Sequence, residues 1–157
     1  MSKIAGTQIT IRKSERPDLE AIVAMLADDE LGRQREDPGL PLNEKYVAAF
    51  AAIDADPNQY LAVAEVDGDV VGCLQLTFIP GLSRLAMWRG QIESVRVSSN
   101  ARGMGLGRQL FEWAIDECRA RGCRLVQLTT DKSRQDALRF YESLGFEPSH
   151  EGMKKSI

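Results

Sequence analysis

In Val95-Arg96-Val97-Ser98-Ser99-Asn100-Ala101-Arg102-Gly103-Met104-Gly105-Leu106-Gly107-Arg108, an apolar strand runs into three glycines on alternate positions, and these open an amphipathic helix. Lacking Cβ atoms, the glycines let successive backbone N–H groups turn towards one point at the positive end of the helix dipole. Donors gathered in that way bind a pyrophosphate. Arg102 and Arg108 add charge at the rim. A Walker loop would need Lys-Ser or Lys-Thr after the glycines, and the dinucleotide pattern GxGxxG fails at Arg108.

Downstream of this stretch, Leu106, Leu110, Ala114 and Cys118 recur every four residues, which predicts a helix of about four turns stopping at Gly122. Leu125 to Thr129 reads as a strand, Gln135 to Leu144 as a helix ended by Gly145, and the segments around Phe146 and Met153 as β-like. Upstream, Ile92 to Val97 is a strand. Tyr60–Val66 and Val70–Ile79 form a hairpin through Asp67-Gly68. Asn43 caps a helix to Asp54, and Asp28 to Leu42 reads as a long polar loop. Before it come a short strand from Gln8 to Ile11 and a helix that follows Pro17. Strands interleaved with helices in this order predict an α/β (α+β) sheet covered by helices.

Two motifs narrow the reading. Arg102, Gly105 and Gly107 match Arg/Gln-x-x-Gly-x-Gly. Ala137-Leu138-Arg139-Phe140-Tyr141-Glu142-Ser143-Leu144-Gly145-Phe146 matches Ala-x-x-Phe-Tyr-x-x-x-Gly-Phe. With these in order and a helix and strand between them, the chain resembles the GNAT superfamily of acetyl-CoA-dependent N-acetyltransferases, most closely from Gln91 to about Glu151. The resemblance implies a mixed, splayed central sheet of about six to seven strands with helices on both faces. Acetyl-CoA as co-substrate would lie in the gap between Ile92–Val97 and Leu125–Thr129. The backbone of Val95 and Val97 would pair with the pantetheine arm like an added strand, beside Arg96. The Val95 N–H would polarise the thioester carbonyl. The amides of Gly103, Met104, Gly105, Leu106, Gly107 and Arg108 would hold the pyrophosphate, with Arg102 beside them. Where many relatives carry Asn this chain has Arg134, which would reach the cofactor's phosphate end.

Acetyl transfer to an amine needs a proton acceptor, because a protonated alkylamine has a pKa of about 10.4. Glu93 is the candidate base. Regular alternation places it on one face of its strand with Gln91, Val95 and Val97, and a carboxylate there is costly unless used or paired with Arg89 or Arg96. Its place two residues before Val95 resembles that of the superfamily's base. Tyr141, one turn after Ala137, is the candidate acid for the leaving thiolate.

Composition sets the limits. The 157 residues read as one domain, with 43% hydrophobic and 27% charged residues, a net charge of −3 and a pI near 5.3. Disorder is excluded, and there is no basic excess for nucleic acid to use. The longest apolar run, Tyr46 to Ile53, is eight residues, too short to span a membrane. Met1 to Glu20 carries no apolar leader segment. Three cysteines without CxxC spacing and one histidine leave little for a metal site. The expectation is a cytoplasmic, metal-free enzyme acting on a primary amine of a small molecule, such as an amino acid, polyamine or aminoglycoside. A second copy of the chain is a candidate partner. The rival readings are a protein acetyltransferase, acting on N-termini or lysines, and a non-catalytic acyl-CoA sensor.

Overall fold

The computed structural model describes residues 8–157. The leader-free reading of the N-terminus falls partly outside that range. Five strands lie side by side in sequence order: β1 (Ile9–Lys13), β2 (Gln59–Val66), β3 (Asp69–Ile79), β4 (Arg89–Val97) and β5 (Leu125–Gln127). The first four pair antiparallel, and β5 joins β4 in parallel. Asp67 and Gly68 both take positive φ (51° and 85°) at the β2–β3 turn, where hairpin twist requires it.

The helices are α1 (Leu19–Ala27), α2 (Glu30–Arg35), α3 (Glu44–Ala55), a short turn α4 (Ser83–Ala86), α5 (Leu106–Ala120) and α6 (Gln135–Ser143). One sheet face packs on α5: Leu74, Leu76, Phe78 and Ile92 meet Leu106, Leu110, Phe111, Ala114 and Cys118. The other packs Leu61, Val63 and Cys73 against Leu19, Ile22, Val23 and Phe50 of α1 and α3. At Gly90 the approach of α5 leaves no space for a side chain, because any Cβ would strike the Cys118 sulfur. Among the described residues no helix is long and apolar enough to cross a membrane.

The architecture is the expected mixed sheet between helices, with three differences of detail. The sheet has five strands rather than six or seven, because the segments around Phe146 and Met153 make no ladder. Pro148 offers no backbone donor there. The supposed loop from Asp28 to Leu42 contains α2, whose N-terminus is capped by the Asp29 carboxylate accepting from the Gly32 N–H. Finally, β5 stops at Gln127 rather than Thr129.

Candidate active site

The strand β4 changes character halfway along. Its ladder with β5 covers only Arg89 to Gln91, paired with Leu125 to Gln127, and beyond Gln91 β4 runs on without a strand partner on that side. On the other side, Glu93 opposes Gln75 and Arg96 opposes Cys73, so Ser94 and Val95 share the span of Leu74. This is a β-bulge, and Ser94 takes a left-handed φ of 55° there. The bulge corrects the expected alternation. Glu93 shares a face with Gln91, but Val95 and Val97 have turned to the opposite face and pack on the α5 core. Glu93 is exposed and pairs with neither Arg89 nor Arg96.

The glycine stretch forms a cradle. Gly103 and Gly105 have φ of 81° and 76°, and the space where a Cβ would stand is open at both. Gly105 is the N-cap of α5, so the N–H groups of the first turn have no partner within the helix. They border a cavity of about 300 Å³ lined by Val97, Ala101, Arg102, Gly103, Gly105, Leu106, Gly107, Arg108 and Phe140. Leu106 itself is buried, so only its backbone is offered. Arg108 donates to the Ser143 hydroxyl of α6 (3.3 Å).

Arg96 and Arg134 point elsewhere. Asp29, between α1 and α2, accepts from Arg134 Nη2 at 2.9 Å and pairs with Arg96 Nη2 at 3.5 Å. It thereby ties β4 to the start of α6. Burial works to raise the Asp29 pKa, but the Gly32 N–H, Arg96 and Arg134 prevail and hold it below the ordinary carboxylate value. Arg96 also donates to the Val95 carbonyl (2.9 Å). Asp28 faces Arg102 at 3.8 Å.

Tyr141 is half-buried in an aromatic cluster, 5.5 Å from the Phe111 ring, 5.8 Å from Phe140 and 6.3 Å from Phe146 between centroids. Among the described residues its hydroxyl has no hydrogen-bond partner. Burial raises its pKa above the usual value, and Arg134 and Arg96 pull it partway back. Burial also pushes the Cys73 and Cys118 thiols up to about 12, so both stay protonated at neutral pH.

Of the sequence-selected residues, the structure gathers Val97, Arg102, Gly103, Gly105, Leu106, Gly107 and Arg108 around one cavity. Val95, Arg96, Met104 and Arg134 do not line it. Arg134 borders a separate depression of about 480 Å³ with Ser133, Gln135, Asp136 and Ala137, away from the glycine cradle. Sequence reasoning took Asp29 only as one of the acidic residues of a charged loop and missed its role as helix cap and arginine partner. It also missed a row of polar side chains on the Glu93 face of the sheet, announced by glutamines alternating with apolar residues in β3 and β4.

A mixed sheet whose β4 edge runs unpaired towards a glycine-opened helix matches the acyltransferase architecture that the sequence motifs imply. The sequence profile of the Acetyltransferase (GNAT) family matches residues 21–146, and the chain belongs to that family. It is 38% identical over 108 residues to the aminoalkylphosphonate N-acetyltransferase of Salmonella typhimurium, covering 69% of this chain and 70% of that protein. A Bacillus halodurans structure described as a transcriptional regulator shares 53% identity at a TM-score of 0.93, covering 96% of this chain and all of that one. The glucosamine-6-phosphate N-acetyltransferase of Arabidopsis thaliana superposes at a TM-score of 0.76 with 25% identity, covering 95% of this chain and 98% of that one. The chain is thus an N-acetyltransferase of the GNAT type.

Proposed function

We propose that this enzyme, as one domain spanning the chain, moves an acetyl group from acetyl-CoA to the primary amine of a small molecule, by direct attack with both substrates bound. The observation that carries the reading is the edge of β4 left without a strand partner after Gln91, directly before the carboxylate of Glu93 and leading to the glycine cradle at Val97. The cradle fits a pyrophosphate, since its amides are free at a helix N-terminus and Gly103 and Gly105 leave their approach open. Acetyl-CoA supplies the acyl thioester as electrophile. The amides from Gly103 to Arg108 hold the phosphates, and the backbone of Val95 and Val97 orients the arm between the strands. Arg102 balances charge at the rim. Arg96 and Arg134, committed to Asp29, fix the two arms of the cleft instead of binding phosphate.

Glu93 takes the proton of the incoming ammonium, directly or through water, so that a neutral amine attacks. The C–N bond forms and the C–S bond breaks, and the acylated nitrogen releases its second proton to solvent. The Tyr141 O–H then gives its proton to the departing sulfur and regains one from solvent. The protonated state of Cys73 and Cys118 supports direct transfer over an acyl-cysteine. The activities of the aminoalkylphosphonate and glucosamine-6-phosphate relatives support a small-molecule acceptor.

Release of free thiol from acetyl-CoA, followed across a panel of amines, tests the reading; a protein that binds acetyl-CoA and acetylates none of them overturns it. With a responsive amine, Glu93→Gln lowers kcat by about 10²–10⁴ near neutral pH. That deficit narrows at high pH, where the amine loses its proton unaided. A deficit constant with pH would make Glu93 a binding group.

A further inference from the structure

The face of the sheet that carries Glu93 also carries a continuous row of polar side chains across four strands. Gln59 of β2 opposes Thr77 of β3, Thr77 opposes Gln91 of β4, and Gln91 opposes Gln127 of β5. Gln75 stands in the next row beside Glu93. Farther along β2 and β3 the same face is apolar, where Leu61, Val63 and Cys73 meet α1 and α3. Glutamine is a weaker strand residue than the valines and leucines of the neighbouring rows, so this row departs from what the fold alone favours. All five polar residues are half-buried.

Their hydrogen bonds leave a definite remainder. The Gln59 Oε1 accepts from Gln75 Nε2 (3.1 Å) and from the Thr77 hydroxyl (3.0 Å), which uses both lone pairs and turns the Gln59 amide N–H groups outward from the pair. The Gln91 Oε1 accepts from Gln127 Nε2 (2.8 Å), which leaves the Gln91 N–H groups and the Gln127 Oε1. Among the described residues these remaining donors and acceptors have no partner. Read across the strands, the row offers donors on Gln59, the Thr77 oxygen as an acceptor, donors on Gln91 and an acceptor on Gln127, with the Gln75 acceptor one row away. Over three strand spacings it extends about 14 Å.

The row carries no formal charge. Arg89 stands one step further along β4, but its Nη1 lies towards Gly81, at 3.6 Å from the place of a Cβ there. Arg96 is taken by Asp29 and the Val95 carbonyl. Among the described residues, an acidic group on an acceptor would meet amides and no free cation along the row, whereas hydroxyls, which both donate and accept, match the alternation.

We propose that Gln59, Thr77, Gln91 and Gln127 form the floor of the acceptor subsite, and that they select amines with an uncharged hydroxylated body, amino sugars being the chemical class. The proposal rests on the reading that acetyl transfer occurs at Glu93. The amine would sit against Glu93 while its hydroxyls lie along the row.

The test compares glucosamine, 2-aminoethylphosphonate and butylamine as acceptors for the wild type, Thr77→Val and Gln91→Leu. The wild type is expected to favour glucosamine at least tenfold in kcat/KM. Each substitution should raise the glucosamine KM about tenfold with kcat and the butylamine rate little changed, one lost hydrogen bond in a half-buried site being worth about 1.4 kcal/mol. Thr77→Val keeps the side-chain shape and loses only the hydroxyl's bonds, its donation to Gln59 included, and cooperative thermal unfolding of both variants checks the fold. Calorimetry with glucosamine in the absence of acetyl-CoA gives a readout independent of turnover: binding weakened in both variants supports the floor. Equal binding by all three proteins, no binding by the wild type, or a wild-type preference for 2-aminoethylphosphonate overturns it. A wild type that binds glucosamine through this row yet acetylates no amine leaves the subsite standing and removes the proposed reaction.

Discussion

The Tyr141 hydroxyl is the smallest unit on which the mechanism can be tried. Its ring is locked among Phe111, Phe140 and Phe146, while its oxygen has no partner among the described residues. Tyr141→Phe therefore keeps the packing and removes one proton donor. The expected result is a fall in kcat on the order of 10² with acetyl-CoA affinity little changed, because the hydrogen bond strengthens only as the sulfur gains charge. Steady-state kinetics together with calorimetry would show it, and a wild-type kcat would remove Tyr141 from the mechanism. The pH dependence has a definite sign. Burial raises the phenol pKa, so the donor stays protonated across neutral pH and is lost only above the range of free tyrosine, about 10. Any activity lost on the alkaline side below that range belongs to another group.

Among the elements, the turn between β4 and α5 was the most legible in sequence, because its conformation is written in residue types that have few other uses. Gly105 at φ 76° has open space in place of a side chain. A Gly105→Val substitution thus meets no clash; it strains the backbone and covers the approach to the amides. It is expected to weaken acetyl-CoA binding at least tenfold, about 1.4 kcal/mol, in a protein that still unfolds cooperatively. Unchanged affinity in such a variant would remove the phosphate role of the loop. The helix α5 was equally plain, since its fourfold apolar spacing is the buried stripe itself. The bulge at Ser94 was not: serine has no marked preference for the left-handed region, and only the pairing of β4 with β3 reveals the extra residue. Without it, Glu93 was set on the face of Val95 and Val97. The helix α2 hid among charged residues because its signal was a single aspartate cap. The tie from Asp29 to Arg96 and Arg134 joins positions 67 and 105 residues away, beyond what any local pattern records.

At the scale of the molecule, the three-pair ladder between β4 and β5 sets how the structure holds together. The antiparallel meander from β1 to β4 is laced along most of its length, whereas β5 and α6 are attached mainly by those three pairs, the aromatic cluster, the Asp29–Arg134 bridge and the side-chain bonds Arg108–Ser143 and Gln127–Gln91. No residue of α6 is fully buried. Stability is then unevenly distributed: amides of residues 125–143 should exchange through a partial opening, and those of β2 and β3 only on global unfolding. Native-state hydrogen exchange would show the two classes, and equal protection in both would refute the division. A substrate held between the arms stabilises the state in which they are joined, so acetyl-CoA should slow exchange more in 125–143 than in the meander. Lys132, Arg134 and Arg139 all lie in this less stable part, which makes it a place where trypsin-like proteases would cut once it opens. Cleavage of a transiently opened segment follows the population of the open form. The lifetime of this enzyme in the presence of such a protease would therefore lengthen with the supply of its acyl donor, and an idle copy would be degraded before a working one.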